Sequence, residues 1–319
     1  LSSAAHAKVH KVRPGDSIQA AIDKAKSGDT ILVWPGTYEE TGNATYGLRI
    51  STDNIRLVAK ASKKSKKKAK KAKKAKKKAK KKKSKEAADG KVRILHHGTQ
   101  ETGVYAAPAG CEYRDNDCPD TLDRFYIRGF SVEGFPQNGI MTRWVDGFEF
   151  IGNESINTLN NGIYPTLSAN GLVKDNVSYG SLDTSMWVAG SENVRVIGNE
   201  VFGSPIGFEI TVSNNVYAAD NLIHDNTVGV GLFHPNAAGT TPGLPVRANW
   251  VFENNHIYNN NLPNPAPAGS FQAGLPPGLG VLILGVDGNT IANNLIEGHD
   301  FGGVGILGWC TATFVADPS

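Results

Sequence analysis

Residues 207–221 read GFEITVSNNVYAADN, and this order of residue types returns along the chain every 22 or 23 residues. Each unit opens on a small residue, continues as an alternating apolar strand and reaches an asparagine fourteen residues later. The small residue recurs at Gly139, Gly162, Ser185, Gly207 and Gly229, and the asparagine at Asn153, Asn176, Asn199 and Asn221. A repeat of this length is typical of a solenoid, in which neighbouring units bury one continuous core.

Each unit predicts one coil with three short strands. The alternation after the small residue places Phe208 and Ile210 on the inward face of the first strand. A second strand leads to the asparagine, and a third follows it. Stacked asparagines can bond the backbone and each other's side-chain amides. The sequence therefore predicts an all-β, right-handed parallel β-helix with three sheets and about nine coils. We call the sheet built from the strands after the small residue the first sheet.

The two ends of the solenoid differ. Ser17 precedes an apolar stripe with helical spacing, formed by Ile18, Ala21, Ile22 and Ala25. This pattern predicts a short helix that caps the N-terminal end of the core. No comparable cap follows Phe314, so we expect the C-terminal coil to be truncated or unprotected.

The N-terminal sequence resembles a known superfamily. The segments SIQAAI (17–22), GDTI (28–31) and PGTYEE (35–40) resemble the opening of the pectin-lyase-like superfamily, which includes pectate lyases, polygalacturonases, pectin methylesterases and alginate epimerases and lyases. The resemblance implies a β-helix over nearly the whole chain and leaves the activity open, because one scaffold hosts many functions. The sequence lacks the polygalacturonase Asn-Thr-Asp motif, the pectate-lyase Trp-x-Asp-His segment and the alginate-epimerase Asp-Pro-His-Asp motif. No catalytic residue therefore carries over.

Residues 60–90 form a lysine-rich insertion. They hold 18 lysines against Glu86 and Asp89, a net charge of +16, whereas the whole chain carries +4 and the remainder therefore −12. Like charges four residues apart oppose helix formation, so we expect disorder. The insertion is either a neutral solvated loop or a tether to a polyanion, such as a cell-wall polymer or an acidic polysaccharide. Nucleic acid is disfavoured, because no basic groove or stacking motif is evident in the acidic body.

Several features indicate export. Ala5-His6-Ala7 fits a signal-peptide cleavage site, so residues 1–7 are either a signal-peptide remnant or an arbitrary boundary, and residues 8–319 form one β-helix domain. Cys111 and Cys118 bracket a polar loop and could close a disulfide ring in an oxidising compartment. Cys310, in an apolar strand, is expected to be a buried thiol. No apolar run approaches the ~20 residues of a membrane span. We therefore predict a secreted or cell-surface protein.

Two further insertions flank the first sheet and predict the walls of a cleft. They are FHPNAAGTTPGLPVR (233–247) and LPNPAPAGSFQAGLPP (262–277). Pro-rich segments hold their shape, which suits a binding cleft, although tolerated surface insertions explain them equally. The predicted substrate-binding residues are Met141, Tyr164, Trp187 and Phe233 on the first sheet, with Asp183 and His224 at the neighbouring turn. Coils lie ~4.8 Å apart, close to one sugar ring, so exposed aromatic faces could follow a glycan along the axis.

Ionisable residues near this row suggest chemistry. For β-elimination on a uronic acid, Glu209 or His234 is the candidate base, and Arg143 or a bound calcium ion is the candidate cation. A glycoside hydrolase needs two facing carboxylates, and only Glu209 lies on the row. A lone histidine or glutamate on a solenoid is often structural. The leading hypothesis is a protein that binds, and cleaves or epimerises, an acidic polysaccharide; the competing one is a non-catalytic matrix module anchored by its lysine arm. No other cofactor and no oligomeric state is indicated.

Overall fold

The chain folds into three parallel β-sheets, and each coil contributes one strand to each sheet. The structure is a computed structural model that describes residues 7–61, 90–115, 117–234 and 249–308. The first sheet comprises β4 (Tyr46–Ile50), β7 (Thr102–Ala106), β10 (Ile140–Arg143), β13 (Ile163–Thr166), β16 (Thr184–Ala189), β19 (Ile206–Thr211), β22 (Val228–Phe233), β25 (Leu279–Leu284) and β28 (Gly302–Leu307).

The second sheet has ten strands and the third has nine. The second comprises β1 (Val9–Val12), β2 (Thr30–Val33), β5 (Ile55–Ala59), β8 (Leu122–Arg128), β11 (Val145–Ile151), β14 (Ala169–Lys174), β17 (Glu192–Ile197), β20 (Asn214–Ala219), β23 (Trp250–Glu253) and β26 (Thr290–Ala292). The third comprises β3 (Gly36–Tyr38), β6 (Val92–Leu95), β9 (Phe130–Glu133), β12 (Glu154–Ile156), β15 (Val177–Tyr179), β18 (Glu200–Phe202), β21 (Leu222–His224), β24 (His256–Tyr258) and β27 (Leu295–Glu297). This topology confirms the predicted parallel β-helix.

The predicted N-terminal cap is present as the helix α1 (Ile18–Ile22). The Ser17 side chain accepts a hydrogen bond from the backbone N–H of Ala20, which satisfies one of the free donors of the first turn. Ile18 and Ile22 are buried in the same apolar cluster as the inward residues of the sheets. The helix therefore covers the first coil, which would otherwise expose its core to water. No helix among the described residues is long and apolar enough to cross a membrane.

The predicted asparagine column forms a buried ladder between the second and third sheets. The Oδ1 atom of Asn199 accepts from both the backbone N–H and the Nδ2 of Asn176, each at 2.9 Å. The Nδ2 of Asn199 in turn donates to the carbonyl of Val173 and to Oδ1 of Asn221, both at 3.0 Å. The same pattern links the ladder from Asn153 to Asn294. Each coil is thus hydrogen-bonded to the next inside the core.

The small-residue column is explained by the serines of the third sheet. A Cβ atom on Gly162 would lie 2.0 Å from Oγ of Ser178 and 2.4 Å from the carbonyl oxygen of Ser185. Ser178 already donates from Oγ to that carbonyl at 2.6 Å. The first-sheet strands therefore begin at a position where the next turn of the solenoid leaves no room for a larger side chain.

The lysine-rich insertion connects β5 of the second sheet to β6 of the third. Residues 62–89 lie outside the described part of the chain, so its predicted disorder is untested. Two coils later, the connection from the second sheet to the third, between β11 and β12, consists of only Gly152 and Asn153. Gly90 and Lys91 precede β6, and both Gly90 and Gly152 adopt a positive φ, of 82° and 60°. Two residues are therefore enough to make this turn.

Deleting residues 60–89 is expected to leave folding intact, because Ala59 would then be followed by the turn residues Gly90 and Lys91. The melting temperature, followed by circular dichroism, should change by no more than about 3 °C, since the deletion leaves both flanking strands, β5 and β6, intact. Moving the deletion by six residues, to remove 66–95, would take out β6 and should prevent cooperative folding. A large loss of stability on deleting 60–89 itself would show that the insertion contributes to the fold.

Three sequence-based expectations fall outside the described residues. They concern the signal-peptide remnant at residues 1–7, of which only Ala7 is described, the thiol of Cys310 and the end of the chain after Phe314. The expectations of a cleaved leader, a buried thiol and an unprotected C-terminal coil therefore stay predictions.

Candidate functional site

Strand register places Met141, Tyr164, Trp187 and Glu209 in one column on the first sheet, while Phe233 pairs with Thr211 in the neighbouring column. Met141 pairs with Tyr164, and Trp187 pairs with Glu209, which pairs with Gly231. The rings of Tyr164 and Trp187 stack with their centroids 4.6 Å apart and 10° between their planes, which joins the two halves of the column. Because one coil adds one residue to each column, the repeat was sufficient to predict this alignment.

A disulfide-closed loop covers the N-terminal part of the column. Cys111 and Cys118 are joined by a disulfide with their Cα atoms 5.8 Å apart. The loop's Tyr113 packs against Met141, which is only 2% exposed. Arg143 donates to the carbonyl of Tyr113, and its guanidinium lies 4.3 Å from the ring of Trp144. Met141 is thus a core residue beneath the loop rather than part of an open groove, a correction to its predicted position at the substrate surface.

The C-terminal part of the column is covered by the second wall. Phe233 is 0% exposed, and its ring meets Phe271 edge-on at 5.6 Å. Phe271 begins a 3₁₀ helix, Phe271–Gly274, within the insertion 262–277. A Cβ atom on Gly231 would lie 2.5 Å from the Phe233 ring, so this glycine makes room for the ring. Phe233 therefore packs under the wall and holds it in place. Because its side chain is buried, it cannot face a glycan, which corrects the prediction.

Tyr164 and Trp187 lie between these two covers and are partly exposed. Nε1 of Trp187 donates to Oγ1 of Thr211 at 3.0 Å, which fixes the indole. Burial raises the pKa of Tyr164 to about 12. Since the two rings stack on each other along the axis, each covers one face of its neighbour. The prediction that these side chains offer flat faces to successive sugars is corrected accordingly: along the axis the stacked pair presents mainly ring edges.

Two carboxyl groups share one hydroxyl beside Trp187. Oγ1 of Thr184 lies 2.7 Å from Oε2 of Glu209 and 3.2 Å from Oδ1 of Asp183. A threonine hydroxyl has one hydrogen, so it donates to only one carboxylate at a time, and the other must carry a proton to bond it. Glu209 is 1% exposed, and its Oε1 atom has no hydrogen-bond partner among the described residues. We call Asp183, Thr184 and Glu209 the carboxyl pair site.

The electrostatics of the carboxyl pair site favour one bound proton. Burial raises the pKa of Glu209 well above its usual value, and the negative charge of Asp183 raises it further. Burial also raises the pKa of Asp183 to about 6, although hydrogen bonds from Thr184 and Gln272 act in the opposite direction. Gln272 belongs to the 3₁₀ helix of the second wall, so the wall closes over this site. Burial and the neighbouring charge thus make Glu209 the group of the pair that holds a proton more readily.

Comparison with known proteins assigns the family. Residues 138–317, more than half of the chain, match the model of the right handed beta helix region. The chain belongs to the right-handed β-helix family. Together with the three-sheet topology, this confirms the predicted right-handed parallel β-helix. No curated protein matches the sequence significantly.

Solved structures of other β-helix proteins are similar in fold. Pectate lyase Pel9A is 14% identical, with 95% of this chain and 68% of that chain covered and a TM-score of 0.48. The polygalacturonase from Erwinia carotovora ssp. carotovora is 13% identical, with 93% and 84% covered and a TM-score of 0.46. The alginate lyase from Paenibacillus sp. str. FPU-7 is also 13% identical, with 93% and 99% covered and a TM-score of 0.44. At these values the similarity carries no assignment of activity.

The remaining predicted residues of this β-helix protein lie away from the carboxyl pair site. His224 ends β21 on the third sheet, where its ring stacks between Phe202 and Tyr258 at 5.2 and 4.8 Å. His224 thus ends the third-sheet strand instead of lying in the turn that leads to β22, because that strand extends further along the chain than expected. Arg143 lies on the first sheet but three coils from Glu209, about 14 Å away. The backbone N–H of His234 donates to the carbonyl of Leu284, while residues 235–248 of its wall lie outside the described part.

Thr184 in the carboxyl pair site and Gln272, which bonds Asp183 from the second wall, were not foreseen from the sequence. Thr184 occupies the position just before the small-residue column, a detectable signal, but Gln272 comes from an aperiodic insertion. No group of three or more His, Cys, Asp and Glu side chains in the described ranges is placed to hold a metal ion. Two carboxylates and a hydroxyl fall short of the six to eight oxygens that calcium takes. We therefore derive no step through calcium.

Proposed function

We propose that this β-helix protein binds an acidic polysaccharide over the first sheet and transfers a proton to or from it at the carboxyl pair site. The observation that carries the proposal is the buried pair Asp183 and Glu209, held by one hydroxyl with one carboxyl oxygen left unpartnered. Leaving such an oxygen without a donor costs about 1–3 kcal/mol. Groups that are strained in this way, with perturbed pKa values, concentrate at functional sites.

The exposure of the two carboxyl groups assigns them different roles. Asp183 is partly exposed, whereas Glu209 is covered. Asp183 is thus the group that contacts the substrate, and a pKa of about 6 makes it an ionised base at neutral pH. Glu209 is a positioning residue that acts through Thr184, because its carboxyl group bonds the same threonine hydroxyl that bonds Asp183. The sequence-based assignment of Glu209 as the base is therefore replaced.

The chemistry follows from one proton transfer. Asp183 takes the proton on the carbon next to the uronate carboxyl group, and the electron pair of that C–H bond stays on the sugar. In β-elimination this pair forms a C=C bond while the bond to the 4-linked glycosyl oxygen breaks, and that oxygen takes a proton from solvent. In epimerisation the same carbanion is instead protonated from its other face. Asp183 supplies the base for both reactions.

The competing function is a non-catalytic glycan-binding module, and two observations favour it. Glu209 is covered, and the described residues place no cation near the carboxyl pair site to neutralise a substrate carboxylate. In this alternative the lysine-rich insertion is the anchor to a polyanion. Secretion or display at the cell surface is part of both proposals, and the Cys111–Cys118 disulfide supports it.

Replacing Asp183 by asparagine is expected to lower kcat by at least about a hundredfold, because the base is lost. Turnover is measured from the ultraviolet absorbance of unsaturated uronates with alginate, pectate and glycosaminoglycans, and epimerisation by NMR of the polymer. Asp220→Asn is the matched control, since Asp220 is exposed at a second-sheet turn. If the unmodified protein binds these polymers and yields neither unsaturated nor epimerised product, the catalytic proposal is overturned and the binding module stands.

A further inference from the structure

A second groove lies on the outer face of the second sheet, away from the carboxyl pair site. Its volume is about 680 Å³, and it is lined by residues of five consecutive second-sheet strands, β5, β8, β11, β14 and β17. Strand register sets one floor residue per coil: Arg56, Tyr126, Glu149, Leu172 and Arg195. Four coil steps separate the two arginines, which is about 19 Å. The groove is therefore long and runs along the solenoid axis.

The charge of the groove contrasts with the rest of the molecule. Three arginines line it, namely Arg56, Arg124 and Arg195, against the single acid Glu149. All three arginines are exposed. The body outside the lysine-rich insertion carries −12, so this cluster is a local exception. No local sequence pattern indicates this basic groove, because its arginines are up to 139 positions apart and only strand register brings them together.

The rim of the groove offers amide groups at one per coil. Asn170 and Asn193 are the second residues of β14 and β17, with φ of 54° and 56°. Nδ2 of Asn193 donates to Oδ1 of Asn170 at 3.2 Å, and Nδ2 of Asn170 donates to Asp146 at 2.6 Å. Each amide keeps a second N–H and a second lone pair for a ligand. Gly147, which has no side chain, opens the same rim between Arg124 and Asn170.

We propose that this second-sheet groove binds an extended anionic polysaccharide, with Arg56 and Arg195 holding carboxylates and the Asn170 and Asn193 amides holding hydroxyl groups. Arginine forms charge-assisted, bidentate bonds to carboxylates, and amides both donate to and accept from hydroxyls. Its length fits a polymer rather than a small ligand, which would be mostly enclosed. Single-stranded nucleic acid fits less well, because it needs free aromatic faces and Arg56 lies 4.0 Å over the Tyr126 ring.

The groove is independent of the acid–base chemistry, although the polymer class is the same. It holds a polymer on a different face of the solenoid from the carboxyl pair site, so it acts as an anchoring site and not as a catalytic subsite. Glu209→Gln should accordingly leave its affinity unchanged. Loss of turnover and loss of groove binding are thus separate results, and failure of one proposal does not entail failure of the other.

The test compares two double variants of the full chain by calorimetry with hexagalacturonate, and with maltohexaose as the neutral probe. Arg56→Gln/Arg195→Gln removes two charges from the groove. Arg128→Gln/Lys174→Gln removes two charges from exposed positions of the same sheet outside it, and both variants keep the lysine-rich insertion. We expect the groove variant to bind hexagalacturonate at least about tenfold more weakly and the control no more than about twofold. Maltohexaose, which is uncharged, should bind neither double variant measurably.

Hydroxyl-radical footprinting shows where on the protein hexagalacturonate binds. Bound hexagalacturonate should protect Tyr126 and Leu172, which line the groove and are partly exposed in the free protein. Equal weakening in both double variants would mean that only overall charge attracts the polymer, and the groove proposal would be wrong. Unchanged affinity in both, with protection at Trp187 alone, would place the polymer on the first sheet and would also overturn it.

Discussion

Glu209→Gln is expected to make the protein more stable at neutral pH and less active. The folded state raises the pKa of Glu209 above its unfolded value, so the folded protein binds a proton that the unfolded chain releases. Stability is then highest below the unfolded pKa and falls as pH rises towards the folded pKa. Glutamine removes this penalty, because its amide N–H can donate to Oγ1 of Thr184 and the group carries no charge. The gain in stability should be present at neutral pH and disappear in acid.

The pH dependence separates this explanation from a packing effect. Thermal melts of the two proteins should coincide near pH 4, where Glu209 is neutral in both states, and diverge by about 5 °C at pH 7. Asp183, with a pKa of about 6, contributes in the same direction between its unfolded value of about 4 and pH 6. Glu39→Gln, at an exposed position, is the control and should show no such divergence. A Glu209→Gln protein that is less stable at every pH would show that the carboxylate is an ordinary structural acceptor.

Measurements of kcat and KM for Glu209→Gln test the positioning role of Glu209. If Glu209 acts only by orienting Thr184 beside Asp183, the glutamine variant should lower kcat and leave the acidic limb of its pH profile unchanged, because burial raises the pKa of Asp183. KM should change little, because Glu209 is covered and does not contact the substrate. Stabilisation together with loss of activity is the combination expected for a strained functional site.

The sequence predicted the columns of this solenoid but not which columns are covered. Register follows from the repeat alone, so Tyr164, Trp187 and Glu209 were correctly placed on one face. Coverage depends on insertions that have no period: the loop closed by Cys111 and the wall that carries Gln272. Their paths are fixed by contacts distant in sequence, such as Phe271 on Phe233, which no local pattern encodes.

The misplacement of His224 has a different cause. A strand of three residues carries too little alternation to reveal where it ends, and β21 ends on the histidine itself. The stacked column that includes Phe202 and Tyr258 is visible only once the third-sheet register is known. In a solenoid the long strands can thus be aligned from sequence, whereas the short strands and the insertions between them cannot.

Asn199→Ala is expected to cause the largest loss of stability of any single substitution considered. The alanine removes two bonds accepted by Oδ1 and two donated by Nδ2. It leaves the backbone N–H of Asn176 without its partner inside the core, at about 1–3 kcal/mol, and removes a bond to the carbonyl of Val173, and a cavity adds to this. We expect a loss of about 5 kcal/mol, a large part of the 5–15 kcal/mol by which a folded protein is stable.

Asn294→Ala is the matched control, because it isolates the effect of burial. Asn294 makes three of the same kinds of bond, accepting from the N–H and Nδ2 of Asn255 and donating to the carbonyl of Phe252. It is partly exposed, however, so water can replace the lost partners. Denaturant titration followed by circular dichroism should show a loss for Asn294→Ala of less than half that for Asn199→Ala. Equal losses would mean that the bonds themselves, and not their burial, set the cost.

The position of Asn199 within the ladder predicts the form of the transition as well as its midpoint. A solenoid is stabilised by contacts between neighbouring coils, so a defect in the middle weakens the coupling of the coils on either side. Asn199→Ala should therefore broaden the transition or divide it into two, while Asn294→Ala, near the end, should leave it single. A single sharp transition at lower denaturant in Asn199→Ala would show that the three sheets couple the coils without the asparagines.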